Sequence, residues 1–160
     1  MSATAPVVAG DHSGDDTAFA QTMIPHHAQA VQMSEMILSK RDIPAEVTAQ
    51  ATRIKDAQGP EIIKMTTWLQ NWNEPASMTA DHTMPGMSGE ADLATLEAAQ
   101  GVDAAKLFLT QMIAHHQGAI TMAEKETAAG KNPEAVALAG SIVASQETEI
   151  QKMQKLLAGL

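Results

Sequence analysis

The chain contains no cysteine and no tyrosine among its 160 residues. The absence of cysteine excludes disulfides, thiolate metal sites, iron–sulfur clusters and thiol catalysis. Only two Phe and two Trp supply aromatic side chains, so Ala, Ile, Leu, Val and Met must fill the core. Those residue types favour close-packed helices over a β-sandwich. With 44% hydrophobic residues, a chain of this length is expected to form one domain.

Basic residues are also scarce. The 10 Lys and Arg stand against 19 Asp and Glu, which gives a formal net charge of −9. Such a chain repels phosphate backbones, so nucleic acid is excluded as a partner. No apolar run approaches the ~20 residues of a membrane-spanning helix, so no transmembrane segment is expected. Residues 1–13 lack the charged and apolar regions of a signal peptide, and we expect them to form a flexible N-terminal segment.

Methionine, by contrast, is abundant: the chain has 11. Thioether is then the remaining soft metal ligand, and it survives where free thiols would be oxidised. The combination of many methionines with no cysteine predicts an extracytoplasmic protein, with Met1 replacing a removed targeting segment.

The sequence is internally duplicated. Phe19 to His27 aligns with Phe108 to His116 at an offset of 89, and both segments contain Met-Ile-x-His-His. A second block, from Ile54 to Leu69, matches Ile142 to Leu157 at an offset of 88. Two copies of one helical hairpin bury their apolar stripes best against each other, which predicts an all-α, ferritin-like four-helix bundle.

Turn and capping signals divide the chain into a first repeat over 14–73, a linker over 74–101 and a second repeat over 102–158, within a single bundle domain over 14–160. Ser13 and Asp16 have capping-box spacing before the first helix, which we expect to end near Lys40. Residues 90–100 are expected to form a short connecting helix. Further helix signals are Pro44 in the first turn of the second helix, a kink at Gly59-Pro60, a cap at Asp103, a stop at Gly130 and a start at Asn132-Pro133.

The Met-Ile-x-His-His segments are the main candidates for a functional site. Each helical residue advances about 100°, so His26 and His27 lie on either side of Met23, close to the apolar stripe. Imidazole binds several transition metals, whereas thioether favours Cu(I), so the mixed set indicates copper before zinc. The alternative is that each methionine fills the core and each histidine bonds a backbone carbonyl. The candidate ligands in the two repeats are Met23, His26, His27, Met33, Met112, His115, His116 and Met122.

Two glutamates occupy equivalent inward positions on the second helix of each repeat. Glu61 and Glu149 are expected to accept hydrogen bonds from the histidine rings and so orient them. A solvated helix edge is the alternative. Gln58 and Gln146 lie one turn before them, on the same side. Met65 and Met153 also point inward, as core residues.

The linker offers a further set of soft ligands in a Pro/Gly loop with little core of its own. These are Met78, His82, Met84 and Met87, a pattern typical of a flexible Cu(I)-capture loop. A hydrophobic flap over the bundle end is the alternative. His12 is a further candidate ligand.

The run from Asp16 through Met23, His26 and His27 to Ala30, its second copy from Phe108 to Ala119, and the Met-Pro-Gly-Met loop resemble the bacterial domain-of-unknown-function family 305. The resemblance spans about residues 11–158. It implies a ferritin-like bundle, usually exported or lipid-anchored, in which some members bind copper through Met and His and support copper tolerance. The second copy departs from the first at Ala114, where the first has Pro25, and at Ala105, where Asp16 would repeat.

Three functions follow as hypotheses. The first is a soft-metal protein, Cu(I) before Cu(II), that sequesters copper outside the cytoplasm or exchanges it with a donor or acceptor protein. The second is a ferritin-like di-metal oxidase, which needs Glu-x-x-His pairs that this sequence lacks. The third is a protein-interaction module with an adaptable, methionine-rich surface. No catalytic constellation is found, and the oligomeric state is not predicted.

Overall fold

The computed structural model describes residues 11–77 and 84–160, which form five α-helices and contain no strand. The prediction of an all-α fold is confirmed. The helices are α1 (Gly14–Leu38), α2 (Ala45–Asn71), α3 (Glu90–Ala98), α4 (Gly101–Ala129) and α5 (Pro133–Ala158). Helix α1 packs on α2 and α4 packs on α5, so each repeat is a hairpin. The hairpins meet mainly through α1 and α4, and α3 packs on α4. None of these helices is long and apolar enough to cross a membrane.

Three of the predicted helix-capping signals are found at helix ends in the structure. Ser13 and Asp16 form the predicted capping box at the start of α1. The Asn132 side chain accepts the Ala135 N–H and Pro133 follows it, so α5 begins where the sequence predicts. Gly130 follows the last residue of α4, as expected for a helix stop.

Helix α1 ends at Leu38, two residues before Lys40 and so close to its expected end. Two other local predictions are wrong. Helix α4 begins at Gly101, which has φ 57°, so Asp103 lies inside the first turn instead of capping it. Pro44 precedes α2 as its N-cap residue and is not part of its first turn. Pro60 lies within α2, which continues on both sides of it.

Two separate apolar clusters fill the bundle. The first contains Phe19, Met23 and Met65 with Ala119 and Ala123. The second contains Ala30, Met33, Phe108 and Met112 with Met153. Along α1 the first cluster ends at Met23 and the second begins at Ala30, so His26 and His27 fall between them. Helix α4 runs antiparallel to α1, because the start of α1 lies against the turn after α4 through Asp16 and Asn132. His115 and His116 therefore lie between the same two clusters.

Candidate metal centre

Four imidazoles form a buried polar layer in the middle of the bundle. His26, His27 and His116 are 0% exposed and His115 is 1% exposed. The rings of His26 and His115 lie 3.8 Å apart between centroids, with a 38° angle between their planes. The antiparallel packing of α1 on α4 thus brings the histidine pairs of the two repeats into one layer, which we call the histidine layer.

Two glutamate carboxylates, one on α2 and one on α5, accept hydrogen bonds from rings of the histidine layer. The His27 Nε2–H donates to Glu61 Oε1 over 2.8 Å, and the His116 Nε2–H donates to Glu149 Oε1 over 2.8 Å. Both glutamates are partly exposed, with relative side-chain exposures of 22% and 19%. Each hairpin therefore orients one of its own histidines in the same way, at positions that the repeat relates.

The third orienting contact comes from the backbone. His26 Nε2 lies 3.0 Å from the Pro85 carbonyl oxygen. A carbonyl only accepts hydrogen bonds, so His26 Nε2 must carry the hydrogen. Sequence reasoning did not find this partner, because any residue type presents a carbonyl.

These contacts determine which ring nitrogens have lone pairs. In a neutral ring with its hydrogen on Nε2, Nδ1 is an acceptor. The Nδ1 atoms of His26, His27 and His116 are all buried without a hydrogen-bond partner in the described part of the chain. In His115 it is Nε2 that is buried and unpartnered. A buried polar atom with no partner costs free energy, so four such atoms in one layer require an explanation.

Burial keeps the two contacting histidines neutral. It lowers the pKa of His26 to about 4, an effect that the Pro85 carbonyl partly opposes and that His27 and His116 strengthen. Burial, followed by the neighbouring imidazoles of His26, His116 and His27, lowers the pKa of His115 to about 2. Both rings are therefore neutral near pH 7, which is the form that binds metal ions.

Methionines from both repeats lie in the two apolar clusters on either side of the histidine layer. Met23 and Met122 belong to the first apolar cluster or pack against it, whereas Met33 and Met112 belong to the second. Met65 lies in the first cluster and Met153 in the second. The first cluster thus has three methionines and the second has four, since Met36 also packs against the second cluster, and both repeats contribute to each.

Part of the linker lies on the bundle beside this layer. Residues 84–88, which we call the strap, include a turn in which the Met87 N–H donates to the Met84 carbonyl. Met84 and Met122 both line a cavity of about 370 Å³ next to the strap. Met87 is partly buried. The predicted ligands Met78 and His82 lie outside the described residues.

His12 does not join the histidine layer. Its ring stacks on Trp72, with centroids 4.5 Å apart, and its Nε2 lies 3.0 Å from Glu74 Oε1. Trp72 belongs to the first apolar cluster.

The histidines and carboxylates of the described residues do not converge on one point. Across residues 11–77 and 84–160, no three His, Asp or Glu side chains form a group that could hold a metal ion. An ion bound there would have to use imidazole pairs or add thioethers. Gln58 and Gln146 are 3% and 2% exposed, and each has an unpartnered Oε1. Their equivalent placement in both repeats was visible in the sequence, but amide side chains alone indicated no role.

A duplicated four-helix bundle whose core is interrupted by four buried histidines defines the class of this protein. The model of the family described as Domain of unknown function (DUF305) matches residues 16–157. The chain therefore belongs to the DUF305 family, as its resemblance predicted.

Solved structures agree with this assignment. A DUF305 protein from Streptomyces coelicolor, described as secreted, is 34% identical with a TM-score of 0.87, and the match covers 91% of each chain. A DUF305 fragment from Deinococcus radiodurans is 32% identical with a TM-score of 0.85, over 92% of this chain and 98% of that one. CopM in its Cu(I)-bound form is 33% identical with a TM-score of 0.75, over 90% and 96%. CopM has also been solved with Cu(II) and with silver. No curated protein matches the sequence.

Proposed function

We propose that this protein binds copper, with Cu(I) preferred over Cu(II) and zinc, and that it sequesters or transfers the ion outside the cytoplasm. The observation that carries the proposal is the set of buried, unpartnered ring nitrogens in the histidine layer: Nδ1 of His26, His27 and His116 and Nε2 of His115. A metal ion would satisfy lone pairs that no described residue satisfies.

The orienting contacts support this assignment. Metal-binding histidines characteristically donate their other ring N–H to a carboxylate or a backbone carbonyl, which holds the ring and sets its tautomer. Glu61, Glu149 and the Pro85 carbonyl have this relationship to three of the four rings. We infer that Glu61 and Glu149 orient ligands and do not themselves bind the ion.

The surroundings of the layer favour a soft monovalent ion. Apolar side chains and thioethers lie on both of its faces, and the Met23, Met33 and Met112 side chains are 0% exposed. Burying a divalent cation here would cost more than burying a monovalent one, because the free-energy cost of burying an ion rises with its charge. Thioether and imidazole together select Cu(I) among physiological metals. Met122, Met84 and Met87 are inferred to supply soft ligands near the cavity, and Met78 and His82 to do so within the linker.

The relatives support copper and an exported location. CopM has been solved with Cu(I), Cu(II) and silver, and the S. coelicolor relative is described as secreted. A protein outside the cytoplasm would have few free thiols competing for Cu(I), so a thiol-free site can be effective there. We infer exchange with a copper donor or acceptor protein as the route by which the ion enters or leaves.

The test is a competition titration of the metal-free protein with a Cu(I) chelator, repeated with silver as a redox-inert monovalent probe. We expect the dissociation constant for Cu(I) to be well below about 1 μM, a binding free energy stronger than about −8 kcal/mol. Single His→Leu changes at positions 27 and 116 should each weaken binding by tenfold or more, since each removes one lone pair and keeps an apolar volume. Equal affinity in these variants would overturn the assignment of the site, and micromolar or weaker binding by the natural protein would overturn copper binding itself.

The matched control is His12→Leu. His12 stacks on Trp72 outside the histidine layer, so its loss should leave Cu(I) affinity unchanged. A drop for His12→Leu comparable to that for His27→Leu would show that loss of a histidine anywhere weakens binding, and the layer would lose its special role.

A further inference from the structure

One position of the repeat has a polar side chain in the first copy and no side chain in the second, and both copies contact the strap. Gln29 and Gly118 are equivalent at the offset of 89. Gln29 is on α1 and Gly118 is on α4. The strap, residues 84–88, lies against both of them.

Gln29 holds the end of the strap through its side chain. Its Nε2 donates to the Ser88 carbonyl over 2.9 Å, and its Oε1 accepts the Ser88 N–H over 2.8 Å. The two bonds pair the amide with both polar backbone groups of a single residue. Ser88 Oγ also lies 3.9 Å from Met33 Sδ, which joins the strap to the second apolar cluster.

Gly118 provides the space that the strap needs. A Cβ atom at this position would overlap the carbonyl group of Pro85 and would lie 2.9 Å from the Gly86 nitrogen. Gly86 has φ 75°, and a Cβ at this position would overlap the Ala114 carbonyl and would lie 3.1 Å from the Gly118 Cα. The strap therefore crosses α4 backbone to backbone, which only glycines at both positions allow.

The result of this docking is the hydrogen bond that orients His26. Pro85 is adjacent to Gly86, and its carbonyl accepts the His26 Nε2–H. His115 is the repeat equivalent of His26, and its Nε2 has no partner within the ranges that the structure describes. The two contacting rings of the histidine layer thus differ because only one of them is covered by the strap.

We infer that Gln29 and Gly118 are positioning residues of the metal centre: by seating the strap, they hold His26 in the tautomer with hydrogen on Nε2 and make Nδ1 its only metal-binding atom. The same docking places Met84 at the cavity that Met122 lines. The inference that this positioning serves copper rests on the proposed function. The effect on the His26 tautomer exists in the metal-free protein and is independent of that function.

Two variants test the inference. Gly118→Ala should displace the strap, and Gln29→Ala should release its Ser88 end. In each metal-free variant we expect ¹⁵N NMR to show the His26 ring changing from one tautomer to a mixture, because the Pro85 acceptor is withdrawn. Cu(I) affinity should fall by about 10- to 100-fold, the usual result of removing a partner that orients a metal ligand.

The controls separate this effect from general damage. Gly140→Ala adds a Cβ in α5 where no atom lies within 4 Å, and Gln32→Ala shortens an exposed side chain on α1, so neither should alter the tautomer. A single Nε2–H tautomer and natural Cu(I) affinity in both test variants would overturn the inference. If Gly118→Ala does not fold, Gln29→Ala decides the question. If the natural protein binds no Cu(I) but the two variants still change the His26 tautomer, the proposed function is overturned and the positioning of His26 stands.

Discussion

Asp16 and Glu126 form a buried carboxyl pair where the start of α1 meets the end of α4. Their exposures are 0% and 1%. The repeat relates these positions to Ala105 and Ile37, which belong to the second apolar cluster at the other end of the bundle. The same packing site is therefore acidic at one end and apolar at the other.

The pair holds a proton on Glu126. Burial raises the pKa of Glu126 to about 9, and hydrogen bonding and repulsion from Asp16 contribute. Burial also tends to raise the pKa of Asp16, but hydrogen bonds from Glu126 and from the N–H groups of Ser13, Asn132 and Lys131 lower it below its usual value. Two ionised carboxylates would leave the Glu126 oxygens without a donor. With the proton on Glu126, that carboxyl group becomes a donor beside the Asp16 carboxylate, which is consistent with the raised pKa of Glu126.

We therefore expect stability to fall in alkali. A carboxyl group whose pKa is raised on folding stabilises the protein fully below the unfolded value, near 4.5, and its contribution is lost as the pH rises through about 9. Glu126→Gln keeps a donor without a titrating proton. Thermal melts of the metal-free protein from about pH 6 to pH 10 should decline with pH for the natural chain and less steeply for Glu126→Gln. Parallel declines would contradict the assignment of the proton to Glu126.

We also expect the metal-free protein to lose stability in mild acid. Burial lowers the pKa of His26 to about 4, whereas an unfolded histidine titrates near 6.5, so this contribution is present above pH 6.5 and is lost as the pH falls through 4. The difference corresponds to about 3 kcal/mol for His26 alone. His26→Leu should show a shallower decline between pH 6.5 and 4.5 in thermal melts. His12→Leu is the control, and a slope for His26→Leu equal to that of the control would refute the prediction.

Removing the carboxylates that orient the histidines should weaken Cu(I) binding without removing a ligand. Glu149→Ala takes away the acceptor of the His116 Nε2–H, and we expect a 10- to 100-fold loss of affinity in the chelator competition. Glu147→Ala, at an exposed site on the same helix, should have no effect. A similar small loss for both variants would indicate that only the negative charge matters, not the hydrogen bond.

Thioether ligation can be separated from core packing by Met→Leu changes, which nearly preserve side-chain volume and usually cost less than about 1.5 kcal/mol of stability. Met23→Leu and Met112→Leu should weaken Cu(I) and silver binding by about tenfold or more while leaving the fold intact. Met36→Leu is the control, since Met36 packs partly buried against the second cluster and is not a proposed ligand. Unchanged affinity in Met23→Leu and Met112→Leu would assign those two residues to the core alone.

The helices, the duplication and the inward placement of the Met-Ile-x-His-His segments could all be predicted from the amino-acid sequence. These features depend on local capping and on a 3.6-residue period, which neighbouring residues set. The hydrogen bonds of His27 and His116 could also be anticipated, because Glu61 and Glu149 occur at equivalent inward positions in the two repeats.

How the two repeats meet, and where they differ, depends on tertiary contacts that no local pattern predicts. The 3.8 Å approach of His26 to His115 depends on the antiparallel registry of α1 on α4, which no single helix encodes. The orientation of His26 depends on a backbone carbonyl that the strap delivers from a position 59 residues away in the chain. Such a contact has no side-chain pattern to reveal it. The difference between Gln29 and Gly118 at equivalent positions is explained by the strap, which lies against both of them.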